Sequence, residues 1–510
     1  MRSRGVNGEL CQEKPQLTPD SQDFYEAWLK DHQQPLDELQ VIEQLLDLDQ
    51  LLLDLVAPAF SPRGAPGRRV LPLLRALLLL LIKNIRSDYF LVHTELKNNL
   101  LYRWFVRLEK DETVSDSFRI ALLRLRARLA SCLTHDQWQD FLAKTVRLAQ
   151  AQSRLLIAAT PLPAGQRSSA PSDQSSASES SRSRPATPRP DATPAQVEQV
   201  TFDLTPVKAR ARILDERDCP KPPDVGAKPS DKAPAEKKTL PLSQGDPDAY
   251  WISKKRRSAS GRTTETTLGY EVGLFSTQSQ GVITGVLVRE AGQANRTEFT
   301  AWVDQYQKDW KLGPGELKIS ADGEFYTGEI LKDFEQKGRR LYVPVTEPVV
   351  PKGKLDHHYF SYFAAEDLFV CHEGAELKRI GHDKQKQRTR YRAPREACAN
   401  CPTANLCKGG AGPRKVSRSD FADQFARAKE QSQSDQHRAA RWSQHVYGEG
   451  SFAHSNCNHG LDRARYYGRR RMLFQAVLTA VAMNLKKAFR FIQARESRDG
   501  PLVARFPICR

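Results

Sequence analysis

LKISADGEF, residues 317–325, is the stretch from which the fold is read. Leu317, Ile319 and Ala321 alternate with Lys318 and Ser320, the period of a strand, and Asp322-Gly323 ends the run as a turn. A carboxylate therefore stands at the C-terminal tip of a strand. That edge is where α/β sheets bind ligands, and an Asp fixed there suits a divalent cation. Asp-Gly is also a common turn pair, which gives Asp322 a plain structural reading beside the functional one. Outward from this strand, residues 197–203 read as a short strand ending in Asp203, and 267–277 with 281–289 as a hairpin of β-branched runs. Phe299, Trp302, Val303, Tyr306 and Trp310 share one helical face; a helix over 328–337 and a strand over 341–345 follow the Asp322 turn. The pattern is α/β, with acids closing the first and fourth strands.

Upstream, residues 1–158 read as an all-α domain whose leucines recur at helical spacing over 39–56, 71–86, 118–133 and 138–148. Interleaved Tyr102, Arg103, Trp104, Phe105 and Arg107 suit either a duplex or a core with a solvated basic face. Residues 159–198 are Ser/Pro/Ala-rich and read as a disordered linker, and the Pro/Lys/Asp-rich residues 215–248 as a loop insertion. Among 510 residues, 78 Lys+Arg against 61 Asp+Glu leave a charge of +17, which suits a polyanion such as nucleic acid. Nine cysteines, an odd number, fit a reducing compartment better than a disulfide scaffold. The most apolar run, 71–82, spans twelve residues and contains Pro72 and Arg75, too short to cross a bilayer.

Downstream, Cys371, Cys398, Cys401 and Cys407 stand as C-x26-C-x2-C-x5-C. The short pair has the spacing of a zinc knuckle, which makes the four candidate Zn2+ ligands; reduced thiols, or His372 or His382 as competing ligands, are the alternatives. Residues 378–392, KRIGHDKQKQRTRYR, hold seven Lys/Arg and one acid. Lys378, Arg379, Arg388, Arg390 and Arg392 are read from this run as DNA-phosphate contacts, against solvated charge. The clusters at 254–257 and 469–471 carry the same two readings, and 472–489 is an apolar core helix.

These pieces together resemble the insertion-sequence DDE transposases of bacteria. The resemblance rests on VTFDLTPVKA around Asp203, GDPDA at 245–249, ISADGEFYTGEIL around Asp322, and YGEGSFAHSNCNHGLDRARYYGRRRM around Glu449, in that order. It implies an RNase H-like catalytic core, a mixed sheet flanked by helices, over 199–350. A Cys-rich basic insert over 351–440 would interrupt it, and helices over 441–510 would complete it. It also implies a DNA transposase with Asp203, Asp322 and Glu449 as catalytic metal ligands for Mg2+ (or Mn2+), two ions in all. Such ions sit roughly 4 Å apart, one activating the attacking oxygen and one stabilising the leaving oxygen. Asp246 or Asp248 of GDPDA is the rival for the first acid.

The implied partners are double-stranded DNA at element ends and target, with the chain as a homodimer and no membrane. The implied place is the bacterial cytoplasm, at the nucleoid. Where related enzymes carry Arg and Lys around the third acid, this sequence has His445 and Asn456, so Asn458, His459 and Arg463 become the expected phosphate contacts. A hydrolytic nuclease on the same fold and a transposase-derived DNA-binding protein without catalysis are the alternative functions.

Overall fold

Leucine density over 70–82 gives a helix with no solvent face. In a computed structural model every residue of Val70–Ile82 is buried, including Arg75, whose exposure is 0%. A buried guanidinium persists only when its donors are answered. Arg75 Nε donates to Asp49 Oδ1 at 2.5 Å, and Nη1 to Glu43 Oε2 at 2.7 Å and to the Phe105 carbonyl at 2.8 Å. The described residues are 17–31, 37–45, 47–56, 70–85, 87–159, 197–210, 246, 248–258, 261–289, 295–346, 355, 357–407 and 412–496. Most of the expected linker and most of the 215–248 insertion lie outside them. Among the described residues no helix is long and apolar enough to cross a membrane.

The chain divides into two compact units, each a mixture of helices and strands or sheet. One comprises Met1–Ala294, Gln305–Lys311 and Ser443–Arg510; the other comprises Asn295–Asp304 and Leu312–Trp442.

In the first unit, β1 (Gln199–Lys208), β2 (Tyr250–Ser258), β3 (Gly261–Thr277) and β4 (Ile283–Val288) form an antiparallel sheet. The long β3 pairs with β1 along 269–277, with β2 along 261–269 and with β4 along 272–276. β1 outruns its sequence reading: the strand expected to end at Asp203 continues to Lys208, with Leu204, Thr205 and Val207 buried on both faces of the strand beyond the acid. β2 is an unexpected strand, because its charged run hides the period. The helix Arg469–Glu496 is core, burying Phe474, Val477, Val481, Met483 and Leu485 against the helix His135–Ala159 and β4. Fully buried Asn484 ties it to the sheet: its amide donates to the Ile283 carbonyl and its Oδ1 accepts from Ile283 N, both at 2.9 Å. The basic-aromatic stretch at 102–107 is likewise structural. Arg103 donates to the carbonyls of Leu96, Glu109, Lys110 and Glu112, and Phe105 is buried.

In the second unit, β5 (Lys318–Ser320) pairs in parallel with β6 (Arg340–Tyr342), and the helix Gly328–Gln336 makes the crossover. Phe299 stacks on Phe325 at 4.2 Å and on Phe334 at 5.8 Å, giving this pair its core. Gly328 lets the helix Ala422–Ser432 approach: a Cβ there would lie 2.2 Å from Phe421 Cγ. The Cys-rich residues build a separate antiparallel sheet. Its strands are β7 (Phe360–Phe363), β8 (Leu368–Cys371), β9 (Glu376–Asp383), β10 (Arg388–Arg392) and β11 (Lys415–Ser419), ordered β11-β10-β9-β8-β7. Phe360, Phe369, Leu377, Tyr391 and Cys407 form its core.

Candidate active site

Asp203 sits in the middle of β1, half-buried, opposite Leu274 of β3. Its Oδ1 accepts from the Leu204 amide at 2.8 Å. One residue earlier, the Phe202 carbonyl receives the side-chain amide of Gln444 at 3.0 Å. Gln444 opens a π-helical turn, Gln444–Glu449, that ends on Glu449 and runs into the helix Gly450–His459. Such turns are costly and recur where a side chain must be aimed. Gly448 explains the glycine before the acid, since a Cβ there would lie 2.9 Å from Gln444 Nε2. The turn is fixed further by Tyr447, whose hydroxyl donates to the Ser279 carbonyl at 3.2 Å. The first unit thus docks the Glu449 turn on the strand of Asp203. Glu449 itself is exposed, with His445 Nδ1 3.0 Å from its Oε2.

Asp322 belongs to the second unit. It follows β5 by two residues, is exposed, and caps a single 3-10 turn, Gly323–Phe325; its Oδ1 accepts from Gly323 N at 2.6 Å. The turn reading and the strand-tip position both hold. Arg441 Nη1 donates to the carbonyl of neighbouring Ala321 at 2.7 Å, which brings a guanidinium beside the acid. No sequence signal marked Arg441 or Gln444, because each is a lone polar residue in a polar helix.

The rival acids have other work. Asp246 is fully buried, accepts from the Tyr270 hydroxyl and from Gly468 N at 3.1 Å, and Asp248 Oδ2 accepts from Arg469 N at 2.8 Å. They hold the first amides of the Arg469–Glu496 helix, where carboxylates answer unpaired N–H groups. Burial, then the Asp246 hydrogen bond, raises the Tyr270 phenol above its ordinary range.

The basic residues separate into engaged and open groups. Arg390 pairs with Asp383, and Arg379 with Asp367 at 3.3 Å. Arg392 lies between Lys378 on β9 and Lys415 on β11, and all three are exposed. Arg388 is half-buried, and Arg463 is exposed. His459, expected as a phosphate contact, is instead fully buried, with ring Nδ1 donating to the Leu81 carbonyl at 2.8 Å. Burial and then the Lys486 ammonium lower its pKa to about 3, so the ring is neutral and lies inside the fold. Cys371 and Cys398 pack against the small sheet's core and Cys407 is part of it. Among the described residues no three His, Cys, Asp or Glu side chains are placed to hold a metal ion. The expected Zn2+ tetrahedron is therefore not formed by the thiols as they stand.

A family described as Transposase DDE domain matches residues 370–489, which include Glu449 and the four cysteines, and a Transposase domain (DUF772) matches residues 27–126. No curated protein matches. The chain is similar to a solved structure, the cryo-EM piggyBac transposase synaptic complex with hairpin DNA, at 10% identity and TM-score 0.35 over 92% of this chain and 84% of that one. Both matched models are transposase domains, and together they support an insertion-sequence DDE transposase with DNA transposase function.

Proposed function

We propose that Asp203, Asp322 and Glu449 are the three acids of this transposase, on an RNase H-like core, and that they cut and join DNA at the ends of its own element. The observation that carries the reading is the Gln444 hydrogen bond to Phe202, which spends a buried amide on docking the Glu449 turn beside Asp203. Depending on a divalent cation, as a DDE domain does, the enzyme would use a pair of Mg2+ ions. Mg2+ needs only one or two carboxylates when substrate phosphate and water complete its shell, which fits acids that form no cage of their own. When bound, the ions supply Lewis acidity to the attacking and leaving oxygens.

The chain's part is to hold and orient. Asp203 is fixed by its own Leu204 amide and Asp322 by Gly323 N. Glu449 is aimed by a turn that cannot accept a larger residue at 448 without moving Gln444. Water attacks first, and the freed 3′-hydroxyl then attacks target DNA. The helical residues 1–158 would recognise the element ends, with Lys378, Arg392 and Arg463 on phosphates. An element has two ends, so two copies with one site each are the smallest working assembly. Labelled terminal-repeat DNA separates the alternatives: joined product supports the reading, cut product alone points to a nuclease, and a gel shift without either points to a binding protein.

Gly448→Ala tests the aiming device. A methyl group there displaces Gln444 from Phe202; misplacing a catalytic group by about 1 Å costs on the order of 10²-fold in rate. Cleavage is expected to fall roughly 10- to 100-fold with DNA affinity unchanged. Wild-type rates in a folded Gly448→Ala protein would remove Gln444 from the account.

The cysteines carry a zinc proposal. Burial raises the Cys407 thiol, the Arg414 guanidinium opposes the rise, and the charges of Cys398, Cys401 and Cys371 add to it. A divalent ion would relieve that repulsion once the side chains turned toward it. Protein purified without chelators is expected to hold about one zinc per chain and Cys401→Ser to lose it; zinc-free wild-type protein with four freely alkylated thiols would end the proposal.

A further inference from the structure

Arg128 of the helix Asp116–Cys132 and Arg470 and Arg471 of the first turn of Arg469–Glu496 line one cleft of about 500 Å3, together with Ala127, Ala130 and Ser131. Among the described residues no acidic side chain lines it. Arg470 and Arg471 are exposed and form no ion pair among the described residues. Guanidinium groups gathered around one space repel each other, and the arrangement gains free energy when an anion enters. Two of the nearest helix-end amides, Gly468 N and Arg469 N, are already taken by Asp246 and Asp248. The guanidinium side chains add an attraction of their own. The two lining alanines leave a short apolar surface, which fits a deoxyribose against it while the planar guanidinium forks grip a phosphate in bidentate fashion.

The geometry points to a phosphodiester-binding cleft for DNA, made by Arg128, Arg470 and Arg471 and separate from the three acids. It rests on the reading that this chain binds DNA, and it adds which residues grip the backbone. Hydroxyl-bearing Ser131 and the two lining alanines carry no pattern that reads a base, so the contact is independent of sequence.

The full-length chain is titrated with a labelled duplex across a salt series. Each neutralised phosphate contributes about 0.9 to the slope of log affinity on log salt. Arg470→Ala/Arg471→Ala keeps good helix formers at exposed positions and is expected to reduce the slope by roughly 0.9 to 1.8 on specific and random duplexes alike. Arg438→Ala/Arg495→Ala removes the same charge elsewhere and should leave the slope in place. Equal slopes for the cleft variant and the wild-type chain overturn the inference while DNA binding stands; a wild-type chain whose affinity ignores salt overturns both.

Discussion

Asp322→Asn protein is expected to bind element-end DNA as the wild-type chain does and to cut it on the order of 10³-fold more slowly, the loss that follows removal of one fixed group from a charge-stabilising site. The substitution separates the two readings of Asp322. Asparagine still accepts from Gly323 N, so the turn that Asp322 caps at 2.6 Å survives. What it loses is the charge a divalent cation needs. Glu449→Gln should behave alike, since the Glu449 side chain is exposed and among the described residues its close partner is His445. Single-turnover cleavage of labelled DNA measures both. A near-normal rate for Asp322→Asn would reduce Asp322 to a turn residue.

The second large effect is on stability. Arg75→Ala is expected to destabilise the first unit by about 3–5 kcal/mol, the cost of leaving one half of a buried ion pair unpaired. Asp49 and Glu43 would keep their carboxylates inside the helical core, and the space beside Phe105, over whose ring the guanidinium lies at 5.4 Å, would be left open. Arg107 also pairs with Glu43, and its Nε lies 3.7 Å from Asp49, which limits the damage without replacing the missing donors. Against a total stability of about 5–15 kcal/mol this is a large share. A urea midpoint that moves by less than about 1 kcal/mol equivalent would mean that Arg107 alone can satisfy both acids.

What was legible in the sequence was what repeats. The alternation before Asp322 is found as β5, and the leucine spacing of the first 158 residues as the helices Leu48–Val56, Val70–Ile82 and Asp116–Cys132. The run 472–489 lies within the core helix Arg469–Glu496. Asp203 lies within β1 and not at its end, because Leu204, Thr205 and Val207 are buried on both faces of the strand past an acid that looked like a stop. Single polar residues that act through distant partners left no pattern. Gln444 reads as one more helical polar residue until its bond to Phe202, 242 positions away, is seen. Asp246 reads as a rival for the first metal acid until it is found buried on Gly468. His459 sits in a polar Asn-His-Gly context that suggests a surface, yet its ring is enclosed and bonded to Leu81. Each of these depends on which segments meet in three dimensions, and periodicity carries no information on that.

The claim at the centre is that one divalent-cation site is made by Asp203, Asp322 and Glu449, and the most direct test locates the ion. Fe2+ put in place of Mg2+, with ascorbate and peroxide, generates oxidant at the bound metal and breaks the backbone beside its ligands. The account predicts chain breaks near 203, 322 and 449, all three suppressed by excess Mg2+ and all three reduced by Asp322→Asn. Breaks centred on 246–248, with none near 203, would contradict it.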